Sequence, residues 1–278
     1  MKIVMTGAIA IALLTIMSFS GPTSNVQSPV PRKIQVAILL DVSNSMDGLI
    51  EQAKAQLWDM VITLGKAQCE DKSVPQVEVA LYEYGRPANG RATGFIRQLS
   101  TFTNDLDSVS KLLFGLVTNG GDEYCGHVIY TSMDKLAWDK SNNNYKVIFI
   151  AGNEDFLQGS IHYTKACDKA KSNGVIVNTI YCGSYEAGIR EHWNLLGECG
   201  NGSYSNINQD AKEVAIPTPY DSTLIVLNSK LNSTYIGYGS MGIANTYRQN
   251  AVDVMNNSAG LKASAKRIEA KAKKNVYN

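Results

Sequence analysis

The sequence predicts an α/β protein: a doubly wound, mostly parallel six-stranded sheet with helices on both faces, followed by a C-terminal helical extension. Three observations carry this. Strand-like and helix-like segments alternate from Lys33 to Ile207, the succession that parallel strands with crossover helices require. The strand-like segments are near-continuous apolar runs, as in KIQVAILLD from Lys33, and such runs suit strands buried on both faces. Turn formers such as Gly90, Gly94 and Asn173-Gly174 punctuate them.

The first strand ends at Asp41. From Asp47 to Ala67, residues Leu49, Ile50, Ala53, Leu57, Met60, Val61 and Leu64 recur at helical spacing. Val77 to Tyr84 is a second strand, and Phe95 to Phe102 a third that pairs with it as a hairpin partner. Asn104 or Asp105 caps a short helix to Phe114. The glycine-bearing loop Val117 to Gly126, VTNGGDEYCG, leads into a helix carrying Val128, Met133, Leu136 and Trp138. Val147 to Ile150 is the fourth strand, Ile161 to Ser172 a helix stopped by Asn173 and Gly174, and Val175 to Tyr181 the fifth strand. Glu186 to Leu196 reads as one helix, and Ser203 to Ile207 as a last short strand.

The sharpest chemical signal lies where the first strand stops. After the apolar run, Asp41 is followed by Ser43 and Ser45 at alternate positions. The carboxyl ends of parallel strands are where α/β proteins place ligands. One carboxylate and two hydroxyls offer hard oxygen ligands only, which suit Mg2+, Mn2+ or Ca2+ and suit zinc or copper poorly. The competing reading is a turn in which Ser43, Asn44 or Asp47 caps the next helix. The coincidence of the aspartate, both serines and the strand favours the metal.

With 278 residues, 44% hydrophobic content and a formal net charge of +1, the chain holds one main core plus appendages and no global field for nucleic acid. Lys2 precedes an apolar stretch from Ile3 to Phe19, with Ser18 and Ser20 before Gly21 and Pro22. Residues 1–20 therefore read as a secretory signal peptide. An uncleaved anchor is the alternative, because the stretch nearly reaches the length a bilayer needs. Residues 21–31 read as a disordered spacer. No later apolar stretch is long enough to span a membrane, so membrane contact is expected only through this segment. The expected location is the periplasm, cell envelope or extracellular space, where thiols pair. Five cysteines leave one over; Cys69, Cys125, Cys167, Cys182 and Cys199 form no C-x-x-C and are too scattered for zinc. Cys125 to Cys182 ranks first as a bridge, since both fall near the carboxyl edge of the sheet, and Cys167 to Cys182 second.

Residues 32–208 form the main domain and 209–278 a connector and helical extension. Ile216-Pro-Thr-Pro-Tyr220 is a proline-fixed link, and Leu224, Ile225, Leu227, Leu231 and Tyr235 are spaced as a helix docked on the main domain. From Arg248 the chain turns polar, and Lys262, Lys266, Arg267, Lys271, Lys273 and Lys274 suit a solvated helix or frayed tail. Without interleaved aromatics, they do not point to nucleic acid.

Enzymatic readings fail at particular residues. A phosphatase of the haloacid dehalogenase type needs a second acid two residues after its aspartate, and position 43 is serine. Cys125 and His127, two apart on a helix, point away from each other. His127, His162 and His192 have no metal-ligand spacing, and no phosphate-binding Gly-x-x-x-x-Gly-Lys-Ser/Thr loop occurs. A metal-dependent hydrolase built on Asp41, Asp122 and Glu154 has no evident general base.

The segment from about Arg32 to Asn208 resembles a von Willebrand factor type A domain, and Asp41, Ser43 and Ser45 match the first motif of that family's metal-ion-dependent adhesion site. The resemblance implies an antiparallel edge strand, supplied by Phe95 to Phe102, and two further loops at the metal. One usually offers a threonine after paired glycines; here it reads Gly120-Gly121-Asp122-Glu123, with Thr118 just before. The other usually reads Thr-Asp-Gly; here it is Ala151-Gly152-Asn153, followed by Glu154 and Asp155. The expectation is that Asp122 takes the threonine's place and compensates for the aspartate absent at Gly152, with Thr118 and Glu154 completing the set. The strings LYEYG, TNGGDEYCG, IAGNE, NTIYCG and IPTPYD are similar to a group of exported bacterial proteins of this type, which suggests that Asn153 and Glu154 belong to the group's own version of the site.

The functional expectation is an exported binding module, not an enzyme, that uses a divalent cation to capture an acidic group of a partner protein or ligand. A metal-free scaffold in a cell-envelope assembly is the alternative, and a metal-dependent hydrolase ranks third.

Overall fold

The computed structural model describes residues 32–69, 71–207 and 219–258, together with 264, 265, 267, 268 and 271. The expected signal peptide (1–20) and spacer (21–31), residues 208–218, and Lys262, Lys266, Lys273 and Lys274 lie outside the described residues.

Six strands form one sheet in the order β3-β2-β1-β4-β5-β6. They are β1 Lys33–Asp41, β2 Gln76–Tyr84, β3 Arg97–Thr103, β4 Tyr145–Gly152, β5 Ile176–Cys182 and β6 Tyr204–Ile207. All neighbours run parallel except β2 and β3. The apolar run of β1 is central because only a strand flanked on both sides and covered on both faces buries all of Ile34 to Asp41. Chain order runs outward from β1 in both directions, so loops after the strands converge on a crevice beyond its carboxyl end.

Helices α1 Ile50–Leu64 and α2 Leu106–Phe114 cover one face, where Ile38 and Leu40 meet Leu57, Trp58 and Leu113. Helices α3 Cys125–Lys135, α4 Tyr163–Ser172 and α6 Trp193–Cys199 cover the other, packing Val128 and Trp193 with Leu39 and Ile150. Asp105 caps α2, its carboxylate accepting the Ser108 N–H at 3.1 Å.

The structure departs from the expectations in three places. The single helix foreseen from Glu186 to Leu196 is two, α5 Tyr185–Arg190 and α6, broken at His192 with φ +64°. Tertiary donors claim carbonyls around the break: the Phe156 N–H donates to Glu191 O at 2.9 Å and the Thr179 hydroxyl to Trp193 O at 2.7 Å.

The disulfide joins Cys167 to Cys199, with Cα atoms 6.0 Å apart, and neither expected bridge forms. Cys182 belongs to the core on the α1 face, whereas Cys125 and Cys167 belong to the opposite face. The sheet itself separates them. Cys69, Cys125 and Cys182 are free thiols.

Beyond the sheet, α7 Pro219–Ser233 and α8 Gly239–Ser258 reverse the expected roles. Leu227 and Leu231 are 53% and 47% exposed, whereas Val252, Asp253, Asn256 and Arg267 are buried. Helix α8 docks on α2 through polar groups, Arg248 pairing with Asp105 at 2.8 Å and the Asn256 amide donating to Ser110 at 3.3 Å, and beyond its end Arg267 pairs with Asp107 of α2 at 2.7 Å. The described part of the polar stretch, Arg248 to Ser258 with Arg267 and Lys271, is therefore docked rather than solvated. Apolar periodicity is blind to docking by paired charges.

Candidate metal centre

Asp41 is the last residue of β1 and is wholly buried. Its Oδ1 accepts the Ser43 N–H at 2.8 Å, while Oδ2 has no hydrogen-bond partner among the described residues. Burial pushes its carboxyl up to about 7 against hydrogen bonding from Ser43, and the nearby Glu154 carboxylate pushes the same way.

The capping alternative does not hold. Helix α1 begins after Leu49 with no side-chain cap, behind a one-turn 3-10 helix at Asn44–Met46 that Ser43 does not cap either. Asn44 and Asp47 bind the second loop instead. The Ser43 and Ser45 hydroxyls are 2.7 Å apart, and Ser45 donates to Asn153 Oδ1 at 2.7 Å. The Asn153 amide returns a bond to Ser45 O at 2.8 Å, which latches the β4 loop to the β1 loop. Asn44 Oδ1 accepts the Gly120 N–H at 2.7 Å, Asn119 N–H donates to Val42 O at 2.7 Å, and the Thr118 hydroxyl bonds Asp47. Thr118 thus anchors the second loop to the first, and its hydroxyl is directed to Asp47 rather than to Asp41.

The acid that this second loop brings beside Asp41 is Glu123. Asp122 is exposed, whereas Glu123 is only 5% exposed. Burial and the Asp41 charge raise its carboxyl to about 8, the Ser43 hydroxyl draws it down, and Glu154 and Asp122 add to the rise. A Cβ placed on Gly85 would lie 2.7 Å from Asp41 Oδ1 and 3.3 Å from both Glu123 Cγ and Ser43 Cβ. Asp41, Ser43 and Glu123 therefore surround one point, and the backbone after β2 passes it only because position 85, at φ +84°, is glycine. Nothing in the sequence separates Glu123 from its neighbour Asp122. A one-residue difference in loop phase decides which carboxylate faces inward.

Gly152 has no room for the aspartate expected of the fold. A Cβ there would meet Tyr84 Oη at 2.5 Å and Asp41 Oδ2 at 3.1 Å. The tyrosine is committed to that place, donating its hydroxyl to Ala151 O at 3.0 Å and receiving the Cys125 thiol at 3.7 Å. Glu154 is half-buried and acts on Asp41 and Glu123 through its charge. Among the described residues no three His, Cys, Asp or Glu side chains converge as a metal centre, so any donor set here is mixed, with serine hydroxyls beside the carboxylates. These residues fit a hard divalent cation: a buried carboxylate oxygen lacks a partner, a second carboxyl stands beside it, and the hydroxyl of the exposed Ser45 opens the group to solvent. A separate cavity of about 330 Å³, lined by Arg32, Ile34, Leu64, Cys69 and Tyr145, lies at the amino end of β1.

Sheet order, a single antiparallel edge strand and an Asp-x-Ser-x-Ser loop at the end of the central strand give this chain the von Willebrand A-type fold. No family model matches the sequence, and no curated protein matches it. Among solved structures it is similar to proximal thread matrix protein 1 from the mussel byssus, at 10% identity and TM-score 0.47, over 66% of this chain and 44% of that one. Another form of that protein is described with a zinc-occupied adhesion-site motif. The SpRpn10 VWA domain is 17% identical with TM-score 0.45, over 64% of this chain and 88% of that one. The pilus adhesin SpaC of Lactobacillus rhamnosus GG is 13% identical with TM-score 0.46, over 65% of this chain and 28% of that one.

Proposed function

We propose that this protein is an exported binding module in which Asp41, Ser43 and Ser45 hold a divalent cation, Mg2+, Mn2+ or Ca2+, that captures an acidic group of a partner protein or ligand. The observation that carries the reading is the wholly buried Asp41 carboxylate with an unpartnered Oδ2 beside two hydroxyls and a second carboxyl. A buried carboxylate without a counter-charge is costly, and a bound cation supplies one. The apolar leader and the Cys167–Cys199 disulfide support export. Binding rather than catalysis is favoured because Cys125 is fully buried with its thiol pushed well above the usual range, which leaves it inert as a nucleophile.

Calorimetric titration of the purified protein with Mn2+ tests the reading. Wild type should bind, and Asp41→Ala should weaken binding by about a hundredfold, roughly 2.7 kcal/mol. Equal titration of both proteins, or no heat in either, removes the cation site. A metal-free scaffold is the second reading, and the exposed Ile236, Tyr238, Met241 and Tyr247 around α7 and α8 favour it. Partner capture from envelope extract that survives chelator would select the scaffold.

A further inference from the structure

We propose that Glu123 is itself a ligand of the cation held by Asp41, Ser43 and Ser45, an internal acid that a partner's carboxylate must displace. This rests on the cation reading of the site. Glu123 sits on a loop whose adjacent Gly121 and Asp122 are exposed, yet its own side chain is buried. Among the described residues no lysine or arginine pairs with it, and the charges acting on it from Asp41, Glu154 and Asp122 are all negative. Buried Glu83, by contrast, is met by Arg86 at 3.1 Å and Arg97 at 2.9 Å. Holding two carboxyls around the one point beside Gly85 is unfavourable unless a proton or a cation lies between them.

The glycines show that this approach is built into the loops. A Cβ on Gly121 would meet Gly85 O at 2.4 Å, and a Cβ on Gly85 would meet Asp41, Glu123 and Ser43 together. Only two glycines in contact let the second loop and the β2 end close over Asp41 while Glu123 turns inward. The fully buried Asp41 Oδ2, without a hydrogen-bond partner among the described residues, is an observation independent of Glu123 that fits a cation ligand.

Two carboxylates on one divalent ion neutralise its charge. The protein should then hold the cation tightly without a partner and offer it weakly to an external acid. Replacing Glu123 should therefore move two affinities in opposite directions, a signature that a purely structural side chain would not give.

The experiment uses the purified full chain and two probes, Mn2+ by calorimetry and acetate by water-proton relaxation of the Mn2+-saturated protein. Glu123→Gln, which keeps size and removes charge, should lower Mn2+ affinity by about tenfold or more and raise acetate affinity by about threefold or more. Asp122→Asn should change either by less than about threefold. Glu123→Asp, which keeps the charge but shortens the reach, should also weaken Mn2+ binding. Wild-type Mn2+ affinity in Glu123→Gln, an unchanged or lower acetate affinity, or a larger effect from Asp122→Asn would overturn the proposal. Loss of Mn2+ binding in Asp41→Ala together with wild-type binding in Glu123→Gln would defeat this inference and leave the cation site standing. No Mn2+ binding by wild type would defeat both.

Discussion

Asp41 and Asp253 are both buried carboxylates, and they are finished differently. In α8, Asp253 is bonded by Lys271 at 2.5 Å, by Asn232 at 2.7 Å, by Asn228 at 2.9 Å, and by Arg267. Burial alone would raise its carboxyl, but these hydrogen bonds and the Arg267 charge hold it below the usual value. At the end of β1, burial outweighs the hydrogen bonding from Ser43 and the Asn153 backbone, no cationic side chain is among the contributors, and Asp41 rises to about 7. The same side chain is a stable ion where its counter-charges come with the chain, and an incomplete one where they do not. Carboxylates of the first kind dock a helix. Those of the second kind are, on the reading proposed above, completed by a cation from solution.

The largest expected effect lies on the paired side. Arg267→Ala removes a partner from both Asp253 and Asp107, and should destabilise the protein by about 3–5 kcal/mol in urea unfolding. A change under about 1 kcal/mol would mean that the two carboxylates are not distinguished by pairing.

The next effect has the opposite sign. A folded-state value near 7, above the unfolded 3.8, means that native Asp41 keeps a proton that the unfolded chain releases. Stability of the cation-free protein should therefore fall as pH rises from about 4, Asp41 contributing up to about pH 7 and Glu123 up to about pH 8, and level off above. Asp41→Asn in chelator should be near-neutral at pH 4 and stabilising by as much as about 4 kcal/mol at pH 8. A variant that is destabilised at both pH values breaks the comparison.

A smaller effect sharpens it. Gly152→Asp should cost about 1–3 kcal/mol through overpacking against Tyr84, with no gain in Mn2+ affinity. Adding Tyr84→Phe, which removes the hydroxyl oxygen nearest to the new Cβ, should return part of that loss. A gain in Mn2+ affinity from Gly152→Asp alone would show that the tyrosine yields.

Much of this was legible before any coordinates. The continuous apolar run ending at Asp41 reads as a central strand because burial on both faces leaves no polar alternation, and β1 is central. Alternation of element types likewise announces a parallel sheet, and the Phe95 to Phe102 segment falls on the antiparallel edge strand. Asp41, Ser43 and Ser45 are visible as a group because they lie on one short loop. The other candidates come from separate loops, and there no local pattern tells that Glu123 is buried beside Asp41 while Asp122, one residue earlier, is exposed.

By itself, then, the sequence determined the order of strands and helices, the two-sided burial of the central strand and the hard-oxygen chemistry at its end, because each of these is local and periodic. Tertiary structure alone decided which acid turns toward Asp41, why position 152 is glycine, which cysteines meet, and that α8 docks through charges. Each of those depends on distances between residues far apart in the chain. A Cβ that meets Tyr84 at 2.5 Å, or a sheet standing between two thiols, leaves no periodic trace.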